Sequence, residues 1–232
     1  MKFFMLAVLL MVAGTVSAQV DAKYCMTYDD FVNNRWTPIE SLVGGRTKQM
    51  VQIKFDCNQY KVKTGDKEAD AVLKKQAFAV EYGGHLYVNC RNLRCNGVVI
   101  DVLGYAQAYR FENNKLMVVA YHVSTGAFLA GVAADVVSVT TPASVAIPSM
   151  VGSAAIWMSM DSMSSYRCYI LDSGANEKGK TEVTRITDEV MSQILSSDQP
   201  LLERYMAVSS KKNRQSASNI LPILMEKKLI KG

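Results

Sequence analysis

The sequence predicts an α+β fold, and three observations predict it. Short runs of alternating or β-branched residues, separated by tight-turn dipeptides, fill the first half. A stretch rich in Gly, Ala, Ser and Val follows from Leu116 to Met160, in which Asp135 is the only formal charge. The tail then carries one strand pair and several capped amphipathic segments. The expected architecture is an N-terminal antiparallel β-meander or small barrel, a small-residue-rich apolar helical hairpin, and a C-terminal strand pair with helices.

The first residues read as a targeting segment. Lys2 is a short positive region, Phe3 to Gly14 is an apolar core too short for a stable anchor, and Val16-Ser17-Ala18 suits cleavage. Residues 1–18 are therefore expected to be a signal peptide, leaving Gln19 first. The nearest cysteine after the cut is Cys25, too far along for a bacterial lipid anchor. The expected divisions are 1–18, a β-rich part over 19–123, an apolar insertion over 124–160, and a strand pair plus helices over 161–232 that complete the same domain.

Tyr24 to Asn34 opens the mature fold, with Asp29 and Asp30 at a turn or helix cap and Tyr28 and Phe31 spaced to share an apolar face. Gly44-Gly45 marks a turn. Gln49 to Phe55 alternates, with Val51, Ile53 and Phe55 on one side, and Tyr60 to Thr64 returns after a short turn. Ala77 to Tyr82 and His85 to Cys90 flank Gly83-Gly84, where both turn positions tolerate positive φ. Tyr105 to Phe111 and Lys115 to His122 flank Asn113-Asn114. Six short strands with tight turns suggest a meander or a small, partly closed barrel.

From Thr125 the alternation stops. Gly126, Ala130 and Ala134 recur four apart, a stripe on which another helix can approach closely. Pro142 and Pro148 interrupt the run. The expectation is an apolar helical hairpin over 125–158, inserted shallowly in a membrane or buried against a partner, with packing in the core as the alternative. Beyond it, Tyr166 to Asp172 is a strand and Val183 to Ile186 returns beside it. Thr187 caps a helix to Leu195, with Asp188 and Glu189 in its first turn. Asp198 caps the next, with Leu201, Leu202, Tyr205 and Met206 as its buried face. Ser216 or Ser218 opens a last amphipathic helix carrying Ile220, Leu221, Leu224 and Leu229.

Charge and cysteine usage exclude some classes. The net charge of +5 is scattered. Its densest cluster, Lys211, Lys212 and Arg214, reads as a solvated helix start, so no nucleic-acid partner is expected. Five cysteines, Cys25, Cys57, Cys90, Cys95 and Cys168, leave at least one thiol unpaired. Cys90 and Cys95 could close a small loop, Cys25 and Cys57 could meet if the fold allows it, and buried free thiols are the competing reading.

Three passages carry a resemblance: the opening YCMTYDDFVNN, the strand HLYVNCRNLR followed by GYAQAYRF, and the tail from YILD through VMSQILSSDQPLLERY to the last helix. Together they resemble a family of uncharacterised exported proteins common in the Bacteroidetes. The resemblance implies export and a small-residue-rich middle segment, and carries no known activity.

The sharpest chemical motif is Gly174 to Thr181, which fits the phosphate-loop pattern with Gly174, Gly179, Lys180 and Thr181 at the defining positions. A true phosphate loop needs a helix to start at Gly179-Lys180-Thr181. Thr181 to Thr187 instead alternates with β-branched residues, so the match reads as coincidental and the segment as a polar hairpin loop. No catalytic constellation appears. His85 and His122 lack a nucleophile partner, and no G-x-S-x-G or H-E-x-x-H occurs. Asp29 and Asp30 are adjacent, and Asp172, Asn176 and Glu177 lack calcium-loop spacing, so no metal and no cofactor is expected. Tyr82, Tyr87, Tyr105, Tyr109, Phe111 and Tyr121 are candidates for core packing or for a ligand cavity. The expectation is an exported cell-envelope protein acting by binding or assembly, not catalysis, with a membrane or an envelope protein engaged through residues 125–158. The alternative is a soluble periplasmic protein holding an apolar small ligand in the β-rich part.

Overall fold

The computed structural model describes residues 21–44, 51–56, 59–100, 104–121 and 166–230. The expected signal peptide, Cys57, His122 and the expected hairpin over 125–158 lie outside the described residues.

The fold is α+β, built on a mainly antiparallel sheet. Its main path begins at the edge with β13 (Thr184–Arg185), then β11 (Tyr166–Leu171), β10 (Leu116–Tyr121) and β9 (Tyr105–Arg110). It continues through β6 (His85–Asn89), β5 (Ala79–Tyr82) and β1 (Ala22–Cys25) to β2 (Thr37–Pro38). The hairpin of β3 (Gln52–Asp56) and β4 (Gln59–Lys63) joins where Tyr60 pairs with Tyr105. Since β6 occupies the opposite side of β9, β4 shares its other side with β10. The sheet branches there and, among the described residues, does not close. The barrel alternative is corrected to an open sheet, and the meander is interrupted by β1, which pairs with β5 rather than with its next strand neighbour in sequence, β3.

Turn chemistry sets the hairpins. Gly83 and Gly84 both take positive φ, +57° and +79°, and put His85 opposite Tyr82. The second hairpin forms, but its connection is a 3₁₀ turn over Glu112–Asn114, closed by the Phe111 N–H donating to the Lys115 carbonyl at 2.9 Å. Asn114 takes φ +65° at its end. Several elements escaped sequence reading, among them β1, β2, one helix and one short hairpin. Helix α3 (Lys67–Lys75) is capped by Asp66, whose carboxylate accepts from the Glu68 and Ala69 N–H groups at 2.9 Å. A short hairpin joins β7 (Leu93–Cys95) and β8 (Val98–Val99) at Asn96 and Gly97, with φ +54° and +74°. A parallel strand, β12 (Thr181–Glu182), completes this second sheet beside β7. Of the expected return of Val183 to Ile186, only Thr184 and Arg185 form a strand, paired with Ile170 and Tyr169.

Both faces of the main sheet are covered. Along β10, Leu116, Val118 and Ala120 join one core with Leu86, Val88, Ala106, Ala108, Tyr169 and Leu171. Met117 and Val119 face the other side, where they pack with Ile186, Met191, Leu195, Tyr205 and Ile220 from the C-terminal helices. A third cluster under α3 holds Tyr24, Ile39, Val62, Leu73, Val80, Tyr87 and Tyr105. Two-sided burial is why β10 reads LMVVA without polar alternation.

The C-terminal helices are α4 (Asp188–Ile194), α5 (Gln199–Met206), α6 (Lys211–Arg214) and α7 (Ala217–Glu226). The expected caps Thr187 and Asp198 are present, accepting from the Val190 and Leu201 N–H groups. Leu201 and Tyr205 are buried as expected, but Met206 is 41 % exposed because it rotates past the apolar stripe. Helix α7 ends at Glu226, before Leu229, where Lys228 adopts φ +59°. Arg214 is corrected from a solvated residue to a clamp. Its Nε and Nη2 donate to the Asp188 carboxylate at 3.2 and 2.6 Å, and its Nη1 to the Val208 carbonyl at 2.7 Å. The Tyr205 hydroxyl donates to the same carboxylate at 2.8 Å. Among the described residues, no helix is long and apolar enough to cross a membrane.

Arg214 first, then the Tyr205 hydrogen bond, holds the Asp188 carboxyl down at about 2. A depressed folded value stabilises the protein above the unfolded value near 4, and that contribution disappears as pH falls from about 4 to about 2. With solvent on its outer side, it is worth about 1–2 kcal/mol. Acid unfolding of Asp188→Asn should therefore show a shallower loss of stability between about pH 4 and 2 than the parent. Identical pH slopes in denaturant titrations would contradict the clamp.

Candidate functional site

A cleft of about 600 Å³ opens on the α1 side of the sheet, lined in part by residues from the three passages singled out in the sequence and in part by Arg35 and the end of α3. One wall is α1 (Tyr28–Val32) and the segment after it. The second is the end of α3 with the turn after β6. The third is the loop leading into β12.

Local hydrogen bonding builds the first wall. The Asp30 N–H donates to Thr27 Oγ1 at 3.0 Å, and the Thr27 N–H donates back to Asp30 Oδ2 at 3.0 Å, a capping box with Asp in the acidic position. Arg35 Nε donates to Asp30 Oδ1 at 2.9 Å, and its Nη2 pairs with Asp29. The Thr27 and Arg35 hydrogen bonds hold the Asp30 carboxyl below its ordinary value. Phe31 is buried beneath, while Tyr28 and Phe78 are half-buried, with ring centroids 5.9 Å apart in a T-shaped pair. Burial, then Asp172, raises the Tyr28 hydroxyl above its ordinary value.

Asn89 fixes the second wall. Its Nδ2 donates to the Lys74 and Ala77 carbonyls at 3.1 and 3.0 Å, and its Oδ1 accepts from the Arg91 N–H at 3.1 Å. The Tyr105 hydroxyl donates to the Leu73 carbonyl at 2.6 Å. These side chains satisfy carbonyls that the end of α3 leaves without helical partners. One buried amide thus joins α3, β6 and the 3₁₀ turn Cys90–Asn92.

The third wall is the loop matching the phosphate pattern. Gly179 takes φ +67°, and Thr181 starts a strand, not a helix. The N–H groups of Lys178 and Lys180 donate to Asn176 Oδ1 at 3.0 and 3.1 Å, and the Gly179 N–H donates to the Asn176 carbonyl at 2.8 Å. The amides that would cradle a phosphate are turned inward onto Asn176. Lys180 Nζ donates to Asn92 Oδ1 at 3.4 Å, so the loop is tied to the second wall. The cleft brings Gly174, Gly179 and Thr181 to Asp29 and Asp30, a juxtaposition that linear reading missed. The shared turn chemistry of these segments was its only signal.

The other sequence candidates lie elsewhere. His85 is half-buried on β6, opposite Tyr82. Tyr87, Tyr105, Tyr109 and Phe111 are buried in the cores, while Tyr82 and Tyr121 are half-buried. Among the described residues, no group of three or more His, Cys, Asp or Glu gathers as a metal site. Of the two cysteine readings, the free-thiol one holds among the described residues: Cys25, Cys90, Cys95 and Cys168 are unbridged. Cys90 is buried in the core and Cys95 sits half-buried beyond the next turn.

A match across residues 23–231 is found with a family described as "Family of unknown function (DUF6563)". The chain belongs to this family. No curated protein and no solved structure matches the chain. The family match spans all three walls of the cleft and the whole C-terminal helical layer.

Burial pushes the thiols of Cys25, Cys90 and Cys168 up to about 12, which suppresses the reactive thiolate. In a Cys57→Ser background, a thiol reagent on the native protein should modify Cys95 alone, and all four remaining cysteines after denaturation. Rapid native modification of Cys25, Cys90 or Cys168, located by peptide mapping, would contradict the buried assignment.

Proposed function

We propose that this is an exported protein of the cell envelope that acts by binding or assembly, with residues 125–158 as its attachment segment. The observation that carries the reading is the pairing of Tyr121 with Tyr166 at the end of the β10–β11 ladder. Their rings meet at 5.5 Å in a T-shaped pair, so the chain leaves and re-enters the sheet at one point. All that lies between is a segment whose only formal charges are Asp135 and, near its end, Asp161. The unbroken β10–β11 ladder on the near side supports reading that segment as serving a separate purpose. An unpaired carboxylate in lipid costs about 2.5–3.5 kcal/mol, which disfavours deep insertion of Asp135 without a partner.

Export is supported by the segment from Lys2 to Ala18. The buried thiols fit the same reading, because a cysteine held as a neutral thiol is inert in an oxidising compartment. Binding rather than catalysis is supported by the distribution of titratable groups. The cleft carboxylates are committed to Thr27, Asn33 and Arg35, and Asp188 to Arg214 and Tyr205. The phosphate-like loop, with its amides bound to Asn176, is read as a hairpin loop and assigned no nucleotide.

Cell fractionation with a carbonate wash tests this reading. The intact chain should stay with the envelope and begin at Gln19. A variant with residues 125–158 replaced by a short Gly-Ser linker should move to the soluble periplasmic fraction. An intact chain that starts at Met1, or that is released by the wash without detergent, would overturn it.

A further inference from the structure

The cleft holds an apolar floor and a charge-balanced rim, and this combination restricts what it can bind. The floor is made by Tyr28 and Phe78, both half-buried, and by Met26, which is 39 % exposed. The residues that the loop opposite gives to the lining, Gly174, Ala175, Gly179 and Thr181, are small. A Cβ on Gly174 would already meet the Tyr28 side chain at 3.7 Å, so larger residues there would cover the ring. The charged residues lining the cleft are Asp29, Asp30, Arg35 and Lys75, two of each sign. A ligand with net charge gains no net attraction from such a rim, and a wholly apolar ligand would strip water from it without compensation.

A ligand with an apolar face and a neutral, hydroxylated edge satisfies both constraints. The planar polar groups suit such an edge. Arg35 is held at Nε and Nη2 by the two carboxylates, so its guanidinium is pre-organised. Asn92 is oriented by Lys180, and Gln76 lines the same wall. We infer that the cleft is a binding site for a neutral saccharide. The C–H face of a sugar ring lies against Tyr28 and Phe78, and its hydroxyls exchange hydrogen bonds with Arg35, Asn92 and Gln76. The volume falls in the range of small-molecule sites, which are typically about 300–1,000 Å³. The inference uses no residue of 125–158 and does not rest on their attachment role.

The test is titration of the full chain with neutral trisaccharides (maltotriose, cellotriose and chitotriose), beside an acidic trisaccharide, trigalacturonate, and a neutral peptide, trialanine. Binding is read by calorimetry and by amide shifts at Gln76, Asn92 and Ala175. At least one neutral trisaccharide should bind and move these resonances. Ala175→Trp, at an exposed position on the cleft wall, should weaken it by about tenfold or more with an unchanged melting temperature. Asn92→Ala, also exposed, should weaken it as well and guards against a folding defect in the first variant. Absence of binding by all three neutral trisaccharides overturns the inference. So does preference for trigalacturonate or trialanine, or binding that both variants leave intact.

Discussion

The ladder between β10 and β11 is the constraint on which the remaining structure depends. Six residues of each strand pair in continuous antiparallel register, from Leu116 with Leu171 to Tyr121 with Tyr166. Both strands are buried on both faces, so the ladder holds together two cores that otherwise share little. On one face Val118 and Tyr169 belong to the cluster with Phe31, Leu86 and Leu93. On the other Met117 and Cys168 belong to the cluster with the C-terminal helices. Buried backbone groups in such strands have no water to fall back on, and every unpaired one would be costly. Register is also fixed tightly, because a one-residue slip would exchange the residues of the two cores.

The candidate cleft is a consequence of this framework. The β9–β6 pairing continues the sheet, and Asn89 at the end of β6 anchors the last turn of α3 and the first turn beyond the strand. The second sheet then places β12 beside β7, with the Val183 N–H donating to the Arg94 carbonyl at 2.7 Å. This brings the Gly174–Thr181 loop over α1. The walls therefore come from distant parts of the sequence, yet each is braced by local side-chain to backbone hydrogen bonds. A site built this way needs little ordering when a ligand enters, which favours binding.

Much of this was legible where the physics is local. Gly83-Gly84 dictated a hairpin because only residues tolerant of positive φ fit both positions. Thr187 and Asp198 marked helix starts because their oxygens accept orphan N–H groups. Helix α3 was hidden by its polarity, since only Ala69 and Leu73 are buried and the rest reads as a charged linker. The Asn96-Gly97 turn carried a clear hairpin signal, but its strands are too short for alternation to show. The parallel β12–β7 contact and the Asp188–Arg214 clamp join residues far apart in sequence, and no local pattern encodes them. The cleft was illegible for the same reason: each wall looked like an ordinary cap, turn or loop.

The central claim is that the described fold is complete without the apolar segment that interrupts its central hairpin. Native-state hydrogen exchange tests this directly, comparing the intact chain with one carrying a short Gly-Ser linker in place of residues 125–158. The account predicts that the β10 and β11 amides from Met117 to Val119 and from Cys168 to Ile170 stay strongly and equally protected in both. Loss of that protection in the shortened chain would show that the segment belongs to the core, and would contradict the account.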